Sequence, residues 1–531
     1  MAGVCRLDGQ AVFVPGLLPG ETADVRLTKV LSTYAFGRLE RLETPNPAIR
    51  RENDCPAYPR CGGCACRHMT YAAAMEAKRA QVADCFRRIG HMEVEVRDTL
   101  GMENPAGYRN KTALPIGGTA DAPVAGFYAP RSHAIIPAGH CPNAMPPAGE
   151  IADALLGWMR ENRVAPYDER TRGGLVRHLV VRVSRLGQAM AVVVINGSRM
   201  PQEQEKSLAQ ALAKAGATSV LLNFNRESTN VILGRRFRTL CGPEVLTDTL
   251  CGFTFEIAPA AFFQVNPVQA ERLYETAVRA AALREEDTVC DVYCGAGTIS
   301  LALARHCRRV IGIEIVPEAI ENARRNALRN GVHNTEFHAG AAEEVLPRLV
   351  GEGLRPDVLV VDPPRKGLEP AVIDAMASVE PRAIVYVSCN AATQARDAAL
   401  LAERGYRAQW VQPVDMFCWT SGVETVVSLS KGEISSKPVR VEFSLEGLDT
   451  SCLLNDATYQ QIKDYVLEHT GLHVSTLYIA QVKAKHGIIE RECYNKAKSE
   501  GNRVPKCPPE KERAIEEALR HFQMIPSREP V

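Results

Sequence analysis

The feature that most constrains this chain of 531 residues is a glycine-rich turn between an apolar strand and a helix, at residues 291–298 (DVYCGAGT). The strand ends at Asp291, glycines follow at Gly295 and Gly297, and a helical pattern begins directly after them. Glycines at such a turn let the backbone bend sharply and come close to a ligand. The turn therefore predicts a parallel α/β sheet with a ligand site at the carboxyl ends of its strands.

The residues after this turn narrow the kind of ligand. The next apolar strand ends in Glu314, 19 residues after Gly295, where a carboxylate can accept hydrogen bonds from ribose hydroxyls. The third glycine of a dinucleotide fingerprint is missing, because this position is Ser300. That favours S-adenosylmethionine, which has a ribose but no pyrophosphate, over NAD. An ordinary strand-to-helix turn is the alternative.

Helical and strand patterns alternate between residues 266 and 430, which predicts a doubly wound sheet. Three strands of this region carry candidate site residues. Asp362 opens the segment DPPRKG, in which Arg365 is either a phosphate contact or a solvated loop cation. Cys389 follows a buried strand in YVSCN, as a nucleophile or as a structural thiol. Glu424 interrupts an apolar run, as an edge-strand charge or as a general base with a raised pKa.

Shifts in composition divide the chain into five parts. The first is a small β-barrel-like module, the second a cysteine loop with a helix, the third a β-rich middle domain, the fourth the doubly wound domain and the fifth a small α-rich accessory domain. Their expected bounds are 1–53, 54–94, 95–260, 261–430 and 436–531, with a Lys/Ser/Pro linker before the last.

The accessory domain carries helical patterns after Asn455 and from Ser475 to His486, which are typical of a helix-turn-helix. Seven Lys/Arg stand against three Glu in residues 481–507. This local excess of positive charge is suited to phosphate contacts, and a solvated basic face is the alternative.

Most of the 17 cysteines are expected to be reduced thiols, because no secretory signal precedes them. Cys55, Cys61 and Cys64 are separated by five and two intervening residues in a loop rich in Gly and Pro, which indicates a metal or iron–sulfur site. A fourth thiolate ligand is needed, and Cys66 and Cys141 are both candidates for it. Zinc is the alternative to an iron–sulfur cluster, since both accept four thiolates.

Charge gives only local information about partners. The chain has 63 Lys+Arg and 62 Asp+Glu, so its net charge of +1 indicates no general attraction to nucleic acid. The predicted helix Tyr71–Ile89 is different: five Arg/Lys against two acids in residues 67–88 predict a basic outer face. No apolar run reaches the ~18 residues of a membrane helix, so we expect a cytoplasmic protein with no membrane contact. Oligomeric state is not indicated.

Five segments in order, FFQVN (262–266), DVYCGAGT (291–298), DPPRKG (362–367), YVSCN (386–390) and VETV (423–426), are those of a known family. Over residues 1–430 the chain resembles the RNA uracil-C5-methyltransferases. It is most similar to the 23S ribosomal RNA members that carry an N-terminal TRAM domain and an iron–sulfur cluster. The resemblance implies a Rossmann-like S-adenosylmethionine methyltransferase domain and an RNA-binding TRAM module.

The resemblance also implies the roles of the site residues. Cys389 would be the nucleophile that adds to C6 of a uridine, and Glu424 the base that removes the C5 proton. S-Adenosylmethionine would be bound by Gln264, Tyr293, Glu314 and Asp362, and a [4Fe–4S] cluster by Cys55, Cys61, Cys64 and Cys141. The implied substrate is 23S ribosomal RNA, from which the target base must be unstacked.

Three alternatives and one departure from the family remain. A tRNA uridine C5-methyltransferase is the alternative within the family, and a non-catalytic iron–sulfur RNA-binding assembly protein is the alternative outside it. A small-molecule methyltransferase would leave the TRAM-like module and the cysteine loop without a purpose. The family's M-F-P-x-T-x-H-V-E pattern is altered here, because Cys418 replaces its Pro and Gly422 its His.

Overall fold

The structure is a computed structural model that describes residues 3–431, 458–486, 488, 507–522 and 524–525. It divides into two compact units, Met1–Ile434 and Ser435–Val531. Their boundary falls within the Lys/Ser/Pro stretch, most of which lies outside the described residues. No helix of the described residues is long and apolar enough to cross a bilayer.

The chain begins with a small four-stranded sheet. Its strands, in the spatial order β1-β2-β4-β3, are β1 (Gly3–Leu7), β2 (Gln10–Val14), β3 (Thr22–Val30) and β4 (Tyr34–Thr44). Apolar residues alternate along β2 and β4, so that Val12, Val14 and Ala35 form a small core on one face.

Helix α1 (Tyr71–Arg88) begins after the N-cap Thr70, as the sequence predicted to within one residue. The predicted basic outer face is wrong for two of its five cations, because Arg67 and Lys78 are buried and paired with carboxylates. The helix turns Lys78 inward together with Ala74, Val82 and Phe86 at helical spacing. Lys78 therefore belongs to the interior of the molecule.

The middle of the chain forms a seven-stranded sheet that follows the short strand β5 (Glu95–Val96). Its strands are β6 (Lys111–Gly118), β7 (Pro123–Tyr128), β8 (Ile135–Pro137), β9 (Val176–Val183), β10 (Ala189–Ile195), β11 (Ser219–Phe224) and β12 (Arg236–Cys241), in the order β12-β11-β10-β9-β6-β7-β8. Two helices, α2 (Ala148–Glu161) and α3 (Gln202–Lys214), pack on one face, and the other face packs on the next domain. A hairpin of β13 (Leu246–Leu250) and β14 (Phe253–Ile257) follows.

Helix α4 (Pro267–Ala281) opens the large α/β domain, whose eight-stranded sheet has the order β17-β16-β15-β18-β19-β21-β20-β5. Its further strands are β15 (Thr288–Val292), β16 (Arg309–Glu314), β17 (Thr335–Ala339), β18 (Val358–Val361), β19 (Ala383–Ser388), β20 (Tyr406–Val414) and β21 (Glu424–Lys431). The helices are α5 (Thr298–Ala304), α6 (Pro317–Arg329), α7 (Ala342–Gly351), α8 (Pro370–Ser378) and α9 (Ala391–Ala402).

This sheet confirms the predicted doubly wound architecture. Strands β15 to β19 are parallel, and the chain order reverses at β15, which lies between β16 and β18. Such a reversal opens a crevice at the carboxyl ends of the two strands. The last strand, β21, runs antiparallel between β19 and β20, which the sequence pattern did not predict.

The second unit contains three described helices, α10 (Tyr459–Thr470), α11 (Thr476–Lys485) and α12 (Pro509–His521). Helix α10 begins with a capping box of Thr458 and Gln461 and ends at Gly471 in the left-handed conformation. The helices share a core that includes Ile462, Val482 and Ile515. Two of them match the helical patterns of the sequence, whereas the basic segment 481–507 lies largely outside the described residues.

Candidate active site

The site lies at the sheet edge where the parallel strands end, and the reversed strand β21 brings Glu424 to it. Ser388, the last residue of β19, pairs with Thr425, the second residue of β21. In an antiparallel pair the next residue of one strand faces the preceding residue of the other, which places Cys389 opposite Glu424. Because β21 runs antiparallel to β19, its first residue lies at the edge of the sheet where the parallel strands end.

The loop after β18 completes this group. The main-chain oxygen of Arg365 accepts hydrogen bonds from Asn390 Nδ2 (3.0 Å) and Thr393 Oγ1 (3.3 Å), which tie the loop to the residues after Cys389. The Arg365 guanidinium lies near the Cys389 thiol and lowers its pKa. The sequence offered Arg365 only as a phosphate contact or a solvated cation, since no local pattern records a contact between two separate loops.

Burial and like charge hold protons on the acidic groups of this site. Burial raises the pKa of the Cys389 thiol and the neighbouring Glu424 raises it further, whereas Arg365 opposes both effects. The pKa of Glu424 is raised by burial and by Asp362, and that of Asp362 by burial and by Asp291. Carboxyl groups near neutral pKa values can exchange protons with a substrate, as a general base must.

The glycine-rich turn is fastened to Glu314. The carboxylate of Glu314 accepts hydrogen bonds from the main-chain N–H of Gly295 (3.1 Å) and of Val316 (2.9 Å). Gly297 has φ +80°, and a side chain there would press on Ala323 at 3.1 Å. Tyr293 has φ +72° although it is not a glycine, a strained conformation of the kind that clusters at ligand sites.

Gln264 lies 6% exposed between the middle sheet and the glycine-rich turn. Its main-chain oxygen accepts a hydrogen bond from Asn110 Nδ2 (2.9 Å). Its side chain lies near Tyr274, whose hydroxyl is 3.1 Å from Thr298 Oγ1 at the start of α5. Tyr274 therefore lies between Gln264 and the start of α5, and Tyr293 packs against the core on the α7–α9 side of the sheet.

The segment 415–423 that precedes Glu424 is held by the interior cation of α1. Lys78 forms a buried ion pair with Asp415 and donates hydrogen bonds to the main-chain oxygens of Phe417 (3.1 Å) and Gly422 (2.7 Å). Tyr71 donates to the second carboxylate oxygen of Asp415 (2.6 Å). We call residues 415–423 the base loop; its fixed position depends on α1 as well as on its own sequence.

The two departures from the family pattern both lie in the base loop. Cys418 is fully buried, with its sulfur 3.4 Å from Met102 Sδ and 3.8 Å from the Tyr71 hydroxyl. Burial raises the pKa of this thiol far above its ordinary value, so it packs as a small apolar group. Gly422 contributes its main-chain oxygen to Lys78, an interaction that needs no side chain.

The cysteine loop, residues 55–66, touches the base loop directly. The main-chain N–H groups of Ala65 (2.8 Å) and Cys66 (3.1 Å) both donate to the main-chain oxygen of Trp419. Cys66 is fully buried, and its thiol points to the main-chain oxygen of Thr420 (3.5 Å). The thiols of Cys61, Cys64 and Cys55 instead lie within electrostatic range of Cys141.

N–H donors lie beside two of the thiols that are near Cys141. The main-chain N–H of Gly63 donates to Cys61 Sγ (3.3 Å), and Asn143 Nδ2 donates to Cys64 Sγ (3.5 Å). In the described part of the chain, no three Cys, His, Asp or Glu side chains stand as a ready-made site for a metal ion. The thiols of Cys55, Cys61, Cys64 and Cys141 are soft sulfur donors, the type of ligand that both an iron–sulfur cluster and a zinc ion accept.

Two family patterns match the chain. Residues 1–39 match the TRAM domain, and residues 243–432 match the tRNA (Uracil-5-)-methyltransferase family. Uncharacterized RNA methyltransferases from Clostridium tetani and Listeria monocytogenes are each 43% identical to this chain over 429 residues. These matches cover 81% of this chain and 93% and 94% of the relatives.

A solved structure gives the same classification. The chain is similar to the Pyrococcus abyssi tRNA (uracil-54, C5)-methyltransferase in complex with S-adenosyl-L-homocysteine, with a TM-score of 0.64 and 27% identity. The match covers 81% of this chain and 100% of the archaeal one. The chain belongs to the RNA (uracil-5-)-methyltransferase family and begins with a TRAM domain.

Proposed function

We propose that this protein uses S-adenosylmethionine to methylate C5 of a uridine in 23S ribosomal RNA. The meeting of Cys389 with Glu424 at the carboxyl edge of the sheet carries this proposal. A thiol and a buried carboxyl group, with the guanidinium of Arg365 nearby, form the set that nucleophile-assisted substitution on a pyrimidine requires.

The residues divide the reaction between them. Uracil C5 is a weak nucleophile, so the Cys389 thiolate first adds to C6 and forms a covalent bond that makes C5 enolate-like. When bound, S-adenosylmethionine supplies the methyl group that C5 takes. Glu424 then removes the C5 proton, the C5–C6 double bond forms again, and the bond between C6 and Cys389 breaks. Arg365 favours the thiolate form of Cys389 by its positive charge.

The methyl donor would lie in the crevice beside β15 and β18. Glu314 would accept the ribose hydroxyls, Gln264 and Asp362 would line the cofactor, and Tyr293 would contribute an aromatic face. The hydrogen bond from the main-chain N–H of Gly295 to the Glu314 carboxylate supports this assignment, since it fixes the carboxylate against the glycine-rich turn.

The RNA substrate has two candidates. The combination of TRAM domain and cysteine loop favours 23S ribosomal RNA, as the family resemblance implies. The archaeal tRNA methyltransferase of similar structure favours tRNA as the second candidate. Both substrates require the same chemistry at Cys389, so the two are distinguished by which RNA receives the methyl group.

The cysteine loop would hold a [4Fe–4S] cluster on Cys55, Cys61, Cys64 and Cys141. The electrostatic effects between Cys141 and each of Cys55, Cys61 and Cys64 support this ligand set, as does the separate position of Cys66 against the base loop. The proposed methyl transfer needs no electron, so a structural role beside the base loop is sufficient. Cytoplasmic location remains an expectation from sequence.

The test is a comparison of wild type with Cys389→Ala. Ribosomal RNA and tRNA from cells that lack this gene are incubated with S-adenosylmethionine and digested to nucleosides and fragments for mass spectrometry. We expect 5-methyluridine in 23S ribosomal RNA with wild type and none with the variant. Methylation of tRNA alone would move the substrate to the second candidate. No methyl group on either RNA would contradict the proposed activity.

A further inference from the structure

Three cations meet at the end of the middle sheet that is nearest to the Gln264 segment. Lys111, the first residue of β6, stands directly opposite Arg182 on β9. Arg109 lies two residues before Lys111, and its charge acts on the Lys111 ammonium group. Lys111 and Arg109 are half-buried, and Arg182 is 3% exposed. Like charges directly opposite each other destabilise a sheet, so this arrangement breaks a local rule of folding.

No carboxylate compensates this charge in the part of the chain that the structure describes. Arg182 donates to the main-chain oxygens of Pro259 (3.3 Å) and Ala261, which are dipoles and leave its charge in place. Arg109 donates to the main-chain oxygen of Lys111 (3.0 Å). Burial lowers the pKa of Lys111, and so do the charges of Arg182 and Arg109; together they bring it to about 8.

Hydrogen bonds connect the cluster to the Gln264 segment and to the segment that follows Cys141. Asn110, between two of the cations, accepts no hydrogen bond at its buried Oδ1, although its amide nitrogen donates to the Gln264 oxygen (2.9 Å). The main-chain N–H of Asn110 donates to Val265 (2.8 Å), and that of Arg109 donates to Asn143 beside Cys141 (2.8 Å). An anion bound by these cations would therefore lie against the segment that reaches the glycine-rich turn.

We propose that Arg109, Lys111 and Arg182 form a phosphate-binding site for the RNA backbone, next to the Gln264 segment. The inference rests on the proposed function, because it takes RNA as the ligand. A phosphodiester supplies the negative charge that the cluster lacks, and guanidinium and ammonium groups are its usual partners. The protein thus keeps an unfavourable arrangement when free and relieves it when RNA binds.

The test compares Lys111→Gln with Lys214→Gln, which makes the same charge change on the exposed end of α3 in the same domain. The probes are unmodified transcripts of 23S ribosomal RNA and of a tRNA. For Lys111→Gln we expect weaker RNA binding, and a slope of log Kd against log salt that is smaller by about 0.7 to 0.9, the value for one lost phosphate contact. Lys111→Arg should keep both quantities near wild type, and Lys214→Gln should leave them unchanged.

Thermal unfolding separates this role from a structural one. Removal of a like-charge pair should leave the melting temperature of the free Lys111→Gln protein unchanged or raise it, whereas loss of a structural brace would lower it. Unchanged RNA binding in Lys111→Gln, or an equal loss in Lys214→Gln, would overturn the phosphate site while wild-type methylation still stands. If wild type binds neither probe, the proposed function fails, and the phosphate site fails with it.

Discussion

At the scale of single residues, the surroundings of each thiol decide what it can do. Cys290 and Cys418 are fully buried, and burial raises the pKa of both so far that neither ionises near neutral pH. Cys389 is half-buried beside a guanidinium, which opposes the rise. The sequence identified Cys389 because it follows a buried strand. It could not assign Arg365 to the thiol, because that contact joins two loops separated along the chain.

The role of Glu424 gives a prediction at this scale. Glu424→Gln keeps the size of the side chain but cannot take the C5 proton, so the Cys389–uridine bond should form and persist. We expect a covalent protein–RNA adduct that survives denaturing electrophoresis. Release of the methylated RNA from Cys389 should be slowed by about 10²-fold or more. Cys389→Ala is the control, in which no adduct can form. Normal turnover by Glu424→Gln would assign proton removal to another group.

At the scale of elements, the position of the base loop depends on a helix more than 300 residues earlier in the chain. The strands and helices of the doubly wound sheet could be predicted, because each carries its own apolar pattern. The reversed direction of β21 could not, since the pattern of a buried strand is the same in both directions. The ion pair between Lys78 and Asp415 could not be predicted either, because a lysine on an amphipathic helix is usually solvated.

This ion pair gives a prediction of stability. Lys78→Met leaves the buried carboxylate of Asp415 without its cation and should lower the free energy of unfolding by about 3 to 5 kcal/mol. The double variant Lys78→Met/Asp415→Asn should recover part of this loss, because no buried charge remains. Chemical denaturation measures both.

Arg79→Gln is the matched control on the neighbouring residue of α1, where an exposed pair with Glu76 contributes little. If Lys78→Met unfolds at the same denaturant concentration as Arg79→Gln, the base loop is held by other contacts. For a folded Lys78→Met protein, we expect kcat to fall by a larger factor than KM changes, since the loop leads directly into the proposed base, Glu424.

At the scale of the whole molecule, the proposed cluster ligands come from two segments that are far apart along the chain. Cys55, Cys61 and Cys64 come before α1, whereas Cys141 comes after the first three strands of the middle sheet. Spacing along the sequence left Cys66 and Cys141 as equal candidates for the fourth ligand. Position favours Cys141, because the Cys66 thiol points to the base loop.

The ligand set gives a prediction for the purified protein. Wild type, isolated without oxygen, should contain iron and sulfide and absorb in the visible range. Cys141→Ser should lose most of this absorbance, and Cys66→Ser should keep it. The reverse result would make Cys66 the fourth ligand, and absence of iron with bound zinc would replace the cluster by a zinc site.

The position of β21 inside the sheet affects the order in which the sheet can form during synthesis. This strand lies between β19 and β20, yet it is the last strand of the sheet to be synthesised. Until residues 424–431 arrive, β19 and β20 have no common partner and Cys389 has no carboxyl group opposite it. A nascent chain therefore contains the proposed nucleophile before it contains the proposed base. The proposed site would thus be completed late in translation, when the last strand of the first compact unit is made.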